Sequence, residues 1–337
     1  FDLTISGKGK ITSNDLGATQ SKDERNLSAL HITDTEIVVN QLPTAGNSSQ
    51  WNGTCLLDGS ANVTYVSNTS YPALRVGQTY GVTHSLTMKD NAKLYCLQGE
   101  GAELSQWAVD GITVSGEVKL QDNAYLEAEG RDSLEGGYLG SALIPDGNVT
   151  VEGNATLKAT AYGSAIATFV DVITDGGNLI VDSKKSNGIY ANNVIIKNGN
   201  AEISGYYPAV YAESSISFEN SKLKITSSGD AAVYCANGAI TVNGCIADFD
   251  GAEGYYGICA NGGVNVSDSW IKTSGPETLD DAPDSIANSV LFNGKEGKVV
   301  ENAAIPGDVA VENGMTLDIP EGTVLTVPEG KTFTNNG

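Results

Sequence analysis

The chain has 337 residues, 40 of them glycine, and 41 acidic against 19 basic side chains give a formal net charge of −22. Such a surface repels nucleic acid and anionic membrane, and no apolar run reaches the ~18 residues of a membrane-spanning helix. Cys55, Cys96, Cys235, Cys245 and Cys259 are odd in number and lack Cys-x-x-Cys spacing, so they read as small buried thiols and not as metal ligands or a disulfide framework.

Residues 1–60, including the polar run from Ser21 to Asn26, fit no period and read as an irregular N-terminal capping region. Apolar strand openers then recur at Leu86, Val118, Val149, Val172, Val194, Ile216, Ile240 and Val264, in steps of 32, 31, 23, 22, 22, 24 and 24. Each opener leads an alternating strand, a tight polar turn and a second alternating strand. From Asn193 to Ile203 the inward set is Val194, Ile196, Ala201 and Ile203; Ile216, Phe218, Leu223 and Ile225 follow, then Ile240, Val242, Ala247 and Phe249. Period two is the signature of strands. Asp90-Asn91-Ala92, Asp122-Asn123-Ala124 and Gly153-Asn154-Ala155 share one turn, which predicts a file of Asn91, Asn123 and Asn154 bonded amide to amide.

A third short strand precedes the later openers, at Gly188-Ile189-Tyr190-Ala191, Ala209-Val210-Tyr211-Ala212, Ala232-Val233-Tyr234-Cys235 and Gly257-Ile258-Cys259-Ala260. A unit this short buries no apolar face alone and must stack on its copies. Three short strands per coil of about 21–25 residues predict an all-β, single-stranded parallel β-helix, with longer coils near the N-terminus. The repeat crosses the midpoint without a break in composition, so 1–337 reads as one domain. With Ile189, Val210, Val233 and Ile258 inward, Tyr190, Tyr211 and Tyr234 point outward in one file that Cys259 ends, while Cys235 shares the inward file of Ala260.

Such a ladder offers ring faces to pyranose rings and hydroxyls to their polar groups, unless the rings cover one another. Tyr206-Tyr207 and Tyr255-Tyr256 occupy the turn before the third strand, where length varies most and a rigid scaffold carries its functional loops. Tyr190, Tyr211, Tyr234, Tyr206, Tyr207, Tyr255 and Tyr256 are therefore the candidate glycan-binding residues. Tyr138 and Tyr162 read as further surface aromatics.

The prolines of the stretch from Gly275 to Asp284 exclude it from a central strand, so 275–290 reads as a loop interruption. Beyond it Glu312-Asn313-Gly314, Pro320-Glu321-Gly322 and Pro328-Glu329-Gly330 stand eight residues apart. They read as the start of a shorter surface repeat over 309–337, still running at the last residue, as expected of a piece of a longer protein. Catalytic residues are harder to find. Glycoside hydrolysis needs two carboxylates about 5–10 Å apart. Asp248 with Asp250 and Asp280 with Asp281 supply acidic pairs, which solvated charge explains equally well. Arg25, Arg75, Arg131, His31 and His84 lie outside the regular run from Val149 to Thr273, and neither histidine has a nucleophile arrangement beside it. Gly176-Gly177 is a turn without the following helix of a phosphate loop. No catalytic residue and no metal site is assigned, and the Gly-Gly-x-Gly-x-Asp calcium repeat is missing from the sequence.

The run from Gly140 to Ser274, with copies of the type Gly188-Ile-Tyr-Ala-Asn-Asn-Val-Ile-Ile196, resembles right-handed parallel β-helix proteins of bacterial cell surfaces. It is similar in particular to a carbohydrate-binding β-helix family, of pectate-lyase-like superfold, in secreted proteins of clostridia-like bacteria. Ile319-Pro320-Glu321-Gly322 and Val327-Pro328-Glu329-Gly330 resemble surface-protein repeats of gut Firmicutes. The resemblance implies a right-handed coil and a place outside the cell or on its surface. Members of that family set aspartates beside the glycine of the third strand, where they hold calcium; here Asn187, Pro208, Ala231 and Tyr256 stand there and only Asp230 is close. The expectation is a non-catalytic carbohydrate-binding or adhesin-like protein with no cofactor assigned, calcium staying an open alternative that no motif supports, its partner a glycan or host surface molecule, with no nucleic acid and no membrane insertion. A polysaccharide lyase or glycoside hydrolase, and a structural stalk or spacer, are the alternatives.

Overall fold

The computed structural model describes residues 2–14, 29–42, 49–51, 53–77, 83–99, 109–132, 139–274 and 285–337. Among them there is no helix, and parallel strands stack as a β-solenoid of about 12 turns. No helix long and apolar enough to cross a membrane occurs among these residues. The chain divides into two compact units, Phe1–Ser186 and Asn187–Gly337.

In the first unit the openers lie in register: Leu86 pairs with Val118, Val118 with Val149, and Val149 with Val172. Unequal steps are taken up between strands and leave the pairing intact. The same stacking holds in the described parts of 1–60, where Asp2–Ser6 pairs with Ala29–Thr33 and Glu36–Asn40 with Asn62–Ser67. That part is thus not uniformly irregular. Its coil lengths are unequal, which hides the period.

The turn after each opener strand needs one residue in the left-handed region. Asp34, Gly59, Asp90, Asp122 and Gly153 fill that place with φ between 50° and 68°. Asp, Asn and Gly accept this conformation at the least cost. The aspartates also bond along the column, since Asp122 Oδ2 accepts the Asp90 N–H at 3.1 Å and Asp90 Oδ2 the Gly59 N–H at 3.0 Å. The asparagine file forms beside them: Asn123 Nδ2 donates to Asn91 Oδ1 at 3.4 Å and Asn154 Nδ2 to Asn123 Oδ1 at 3.3 Å. Ala92, Ala124 and Ala155 turn inward next to it and are buried. One tyrosine departs from the surface pattern, because Tyr65 is fully buried and its hydroxyl accepts the Trp51 Nε1–H at 2.8 Å.

In the second unit three registers run through successive coils. Ile189, Val210, Val233 and Ile258 form one column, Val194, Ile216, Ile240 and Val264 another, and Ala201, Leu223, Ala247 and Ile271 the third. Inside, the Phe218 and Phe249 rings stack at 5.9 Å. The left-handed turn position is again a column, of Asn198, Asn220, Gly244, Asp268 and Asn288. Next to it runs a buried column of small residues: Gly199, Ser221, Cys245, Ser269 and Ser289. The Ser269 and Ser289 hydroxyls donate to the Ser267 and Ala287 carbonyls at 2.6 and 2.7 Å, while accepting the Cys245 and Ser269 N–H groups at 3.0 and 3.1 Å. Cys245 takes a serine's place, its thiol donating weakly to the Asn243 carbonyl at 3.4 Å.

The interruption expected over 275–290 is shorter than that. Residues 275–284 lie outside the described residues, and strands Ser285–Ala287 and Ser289–Asn293 already pair with Val264–Ser267 and Trp270–Ser274. Ser289–Asn293 then folds back antiparallel on Glu296–Val300. Beyond it, the eight-residue spacing turns out to be one side of an ordinary coil. Val309–Val311 pairs in parallel with Phe333–Asn335, twenty-four positions on, and Ala303–Ala304 pairs with Leu325–Thr326. The corners are equivalent turns: Met315, Thr323 and Lys331 N–H groups bond the Glu312, Pro320 and Pro328 carbonyls at 3.0–3.1 Å. Gly314, Gly322 and Gly330 hold the third turn position with φ of 76–84°, as a type II turn requires. Trp270 anchors the core beneath, 5.2 Å from Phe292 and 6.1 Å from Phe333.

Candidate functional site

Tyr190, Tyr211 and Tyr234 are the middle residues of three stacked short strands whose flanking residues are buried. Alternation sends all three outward, half-buried, with Cys259 next in the file. The Tyr190 and Tyr211 rings lie 5.0 Å apart and 4° from parallel, and Tyr234 lies 5.8 Å from Tyr211 at 38°. Stacking at this distance occupies both faces of the central ring. The file therefore turns mainly edges and hydroxyls outward, and its free ring faces are those at its ends.

Glu213 organises the file from the same side of the strand. Its Oε1 accepts from the Tyr190 and Tyr211 hydroxyls, each at 3.1 Å, and its Oε2 from Asn237 Nδ2 at 3.2 Å. Burial and then the Glu213 carboxylate push the Tyr211 phenol up to about 12, and the same two causes raise Tyr190.

These rings open onto a groove of about 390 Å³, completed by Tyr207, Pro208, Asn187 and Asp230. Asn187 Nδ2 donates to the Pro208 carbonyl at 2.8 Å. Buried Ser227 ties two turns together, its hydroxyl donating to the Tyr207 carbonyl at 3.0 Å and accepting the Asp230 N–H at 3.1 Å. Asp230 Oδ1 accepts the Ala231 N–H at 2.7 Å. The result is a small concavity lined by aromatic rings with a few convergent polar groups, the composition and size of many ligand pockets.

No family model matches this sequence, and no curated protein or solved structure does either. The groove is therefore weighed on its own chemistry.

Four of the seven candidate tyrosines meet there: Tyr190, Tyr207, Tyr211 and Tyr234. Tyr206 is exposed and stands edge-on to Tyr207 at 5.5 Å, outside the lining. Tyr255 is exposed and Tyr256 half-buried, and neither lines the groove. Tyr162 carries Lys185 Nζ 5.4 Å above its ring; Tyr138 lies outside the described residues. No motif singles out Glu213. The signal that points to it is its two-residue spacing from Tyr211, which puts both on one strand face.

The remaining chemistry is arranged differently. Asp248 stands in an outward column that alternates in sign through Glu202, Lys224, Asp248 and Lys272. Lys224 pairs with Glu202 at 3.0 Å and Lys272 with Glu312. Asp250 shares the exposed face of Asp248, while Asp280 and Asp281 lie outside the described residues. No cluster of three or more His, Cys, Asp or Glu side chains suited to a metal ion occurs among the described residues. His31 Nε2 meets Asp58 Oδ1 at 2.9 Å, with Lys89 3.6 Å from the same carboxylate. Burial works to raise Asp58, but the His31 and Thr33 hydrogen bonds and the two cationic neighbours outweigh it and hold the carboxyl below its usual range. All five cysteines are free thiols, Cys235 inward beside Ala260 and Cys259 outward beside Tyr234. Burial pushes Cys245 up to about 11, the behaviour of an unreactive thiol.

Proposed function

We propose that this protein is a non-catalytic, extracellular, carbohydrate-binding or adhesin-like solenoid whose glycan site is the tyrosine groove of the second unit. The carrying observation is the convergence of Tyr190, Tyr207, Tyr211 and Tyr234 with Asn187 and Asp230 on one concavity. Sugar recognition draws on both halves of that set. An exposed phenol such as Tyr207 offers an apolar face to the C–H side of a pyranose, and an amide, a carboxylate and phenolic hydroxyls bond its hydroxyl groups. Because Tyr190 and Tyr211 cover one another, Tyr207 and Tyr234 supply the stacking surface, and the inner pair with Glu213 supplies a rigid floor. A place outside the cell, a tie to the gut Firmicutes surface family and a host glycan as partner rest on the resemblance of the coil and of the Pro-Glu-Gly corners.

A glycan array probed with the intact chain and with Tyr207→Ala tests this. Tyr207 is exposed, so its loss leaves the fold intact and is expected to remove binding. Retained binding in Tyr207→Ala, or no glycan bound by the unsubstituted chain, counts against the groove.

A further inference from the structure

We infer that the glycan held in this groove carries a protonated amine, as an amino-sugar chain does; the inference rests on the reading of the groove as a glycan site. Asp230 is the one charged side chain in the lining, and no lysine or arginine accompanies it. One of its oxygens is used by the Ala231 N–H, and the other has no donor among the described residues. Glu213, bonded to two of the lining phenols, accepts three hydrogen bonds, all from neutral donors, so its charge is spread and not cancelled. Elsewhere in this unit, Lys197 pairs with Glu219 and Lys224 with Glu202.

A groove whose lining holds one carboxylate and no cation, with a second carboxylate bonded to two of its phenols, carries a net negative potential, to which the electron-rich tyrosine ring faces add. An acidic sugar meets repulsion there. A neutral sugar hydrogen-bonds Asp230 through its hydroxyls but leaves the charge uncancelled, at a desolvation cost. An ammonium group pairs with the free oxygen of Asp230 and lies against aromatic surface, which turns that cost into a charge-assisted bond.

The test uses three oligosaccharides of equal length: chitosan oligomers, their fully N-acetylated counterparts and oligogalacturonate. Each is titrated by calorimetry into the whole chain and into Asp230→Asn, Asp248→Asn and Tyr207→Ala, at a pH where the free amine is protonated. The expected result is binding of the amine-bearing oligomer, about tenfold weaker binding of the N-acetylated one, and none of the uronate. Asp230→Asn is expected to bring the amine-bearing oligomer down to the affinity of the acetylated one. Asp248→Asn, in a surface ion column, is expected to leave it unchanged. Equal affinity for the first two oligomers, lost in Tyr207→Ala, overturns the charge inference and leaves the glycan site standing. A loss in Asp248→Asn as large as in Asp230→Asn also overturns it, by showing general attraction of a polycation to an acidic protein. If none of the three binds, the inference fails, and the array decides the wider reading on its own.

Discussion

Two phenols donating to one carboxylate oxygen make Glu213 the electrostatic centre of the tyrosine file. Replacing it by glutamine removes the negative charge that, together with burial, lifts Tyr211 to about 12. A spectrophotometric phenolate titration of Glu213→Gln is therefore expected to show two phenols, Tyr190 and Tyr211, titrating earlier, and an unchanged curve would refute the role given to Glu213. The linked stability follows the sign of the shift. Because the folded value lies above the ordinary 10.0, Tyr211 contributes stability that is complete below pH 10.0 and lost as the pH rises through about 12. His84 works at the other end of the scale. It is buried, its Nε2 finds no partner among the described residues, and burial holds its pKa below the ordinary 6.5. The unfolded chain takes up that proton first, so stability is full above pH 6.5 and lost as the pH falls through the folded value. Urea denaturation between about pH 7.5 and about pH 5 is expected to show that decline, and a His84→Leu chain to show less of it. An equal decline in both would assign the effect to other groups. Asp58, also depressed, acts in the same direction but below 3.8, outside this window.

At the scale of the element, the turns hold the coils together as much as the strands do. Ser269 both donates to the Ser267 carbonyl and accepts the buried Cys245 N–H, so Ser269→Ala leaves a buried donor unpaired, at about 1–3 kcal/mol. Cys245→Ser restores the column's own chemistry and is expected to change stability by less than about 0.5 kcal/mol. Equilibrium unfolding of both variants checks the pair, and a Cys245→Ser cost above that of Ser269→Ala would contradict the ladder. Gly238 serves a different need, since a Cβ there would sit 1.8 Å from the Ser214 carbonyl oxygen. Strand alternation made the openers, the short third strands and their registers legible from residue order alone. The small-residue column was not, because Gly199, Ser221, Cys245, Ser269 and Ser289 look like unrelated turn residues until the coils are stacked. The strands from Ser285 were hidden by the proline-rich stretch before them, and the loss of the Tyr211 ring faces by the impossibility of reading ring angles from sequence. Proximity of Tyr207 to the file was within reach of the pattern; its separation from Tyr255 and Tyr256 was not.

At the largest scale, strand pairing within each unit ties a coil mainly to its neighbours, so stability is largely a sum of local terms and the ends give way first. Val309–Val311 is buried on one face, whereas Thr316–Asp318 and Phe333–Asn335 are mostly exposed. Hydrogen exchange is expected to be fastest across 316–337 and slowest through strands such as Lys222–Ser227. Uniform protection along the second unit would mean a single cooperative block instead. The three equivalent corners at Gly314, Gly322 and Gly330 set a rule for how this part of the chain tolerates lengthening. Twenty-four added residues return every later side to the partner it had. Eight added residues keep each turn intact yet advance the chain by a third of a revolution, handing each side to the wrong neighbour. Growth here is thus quantised in whole coils, with a phase that mutation must respect.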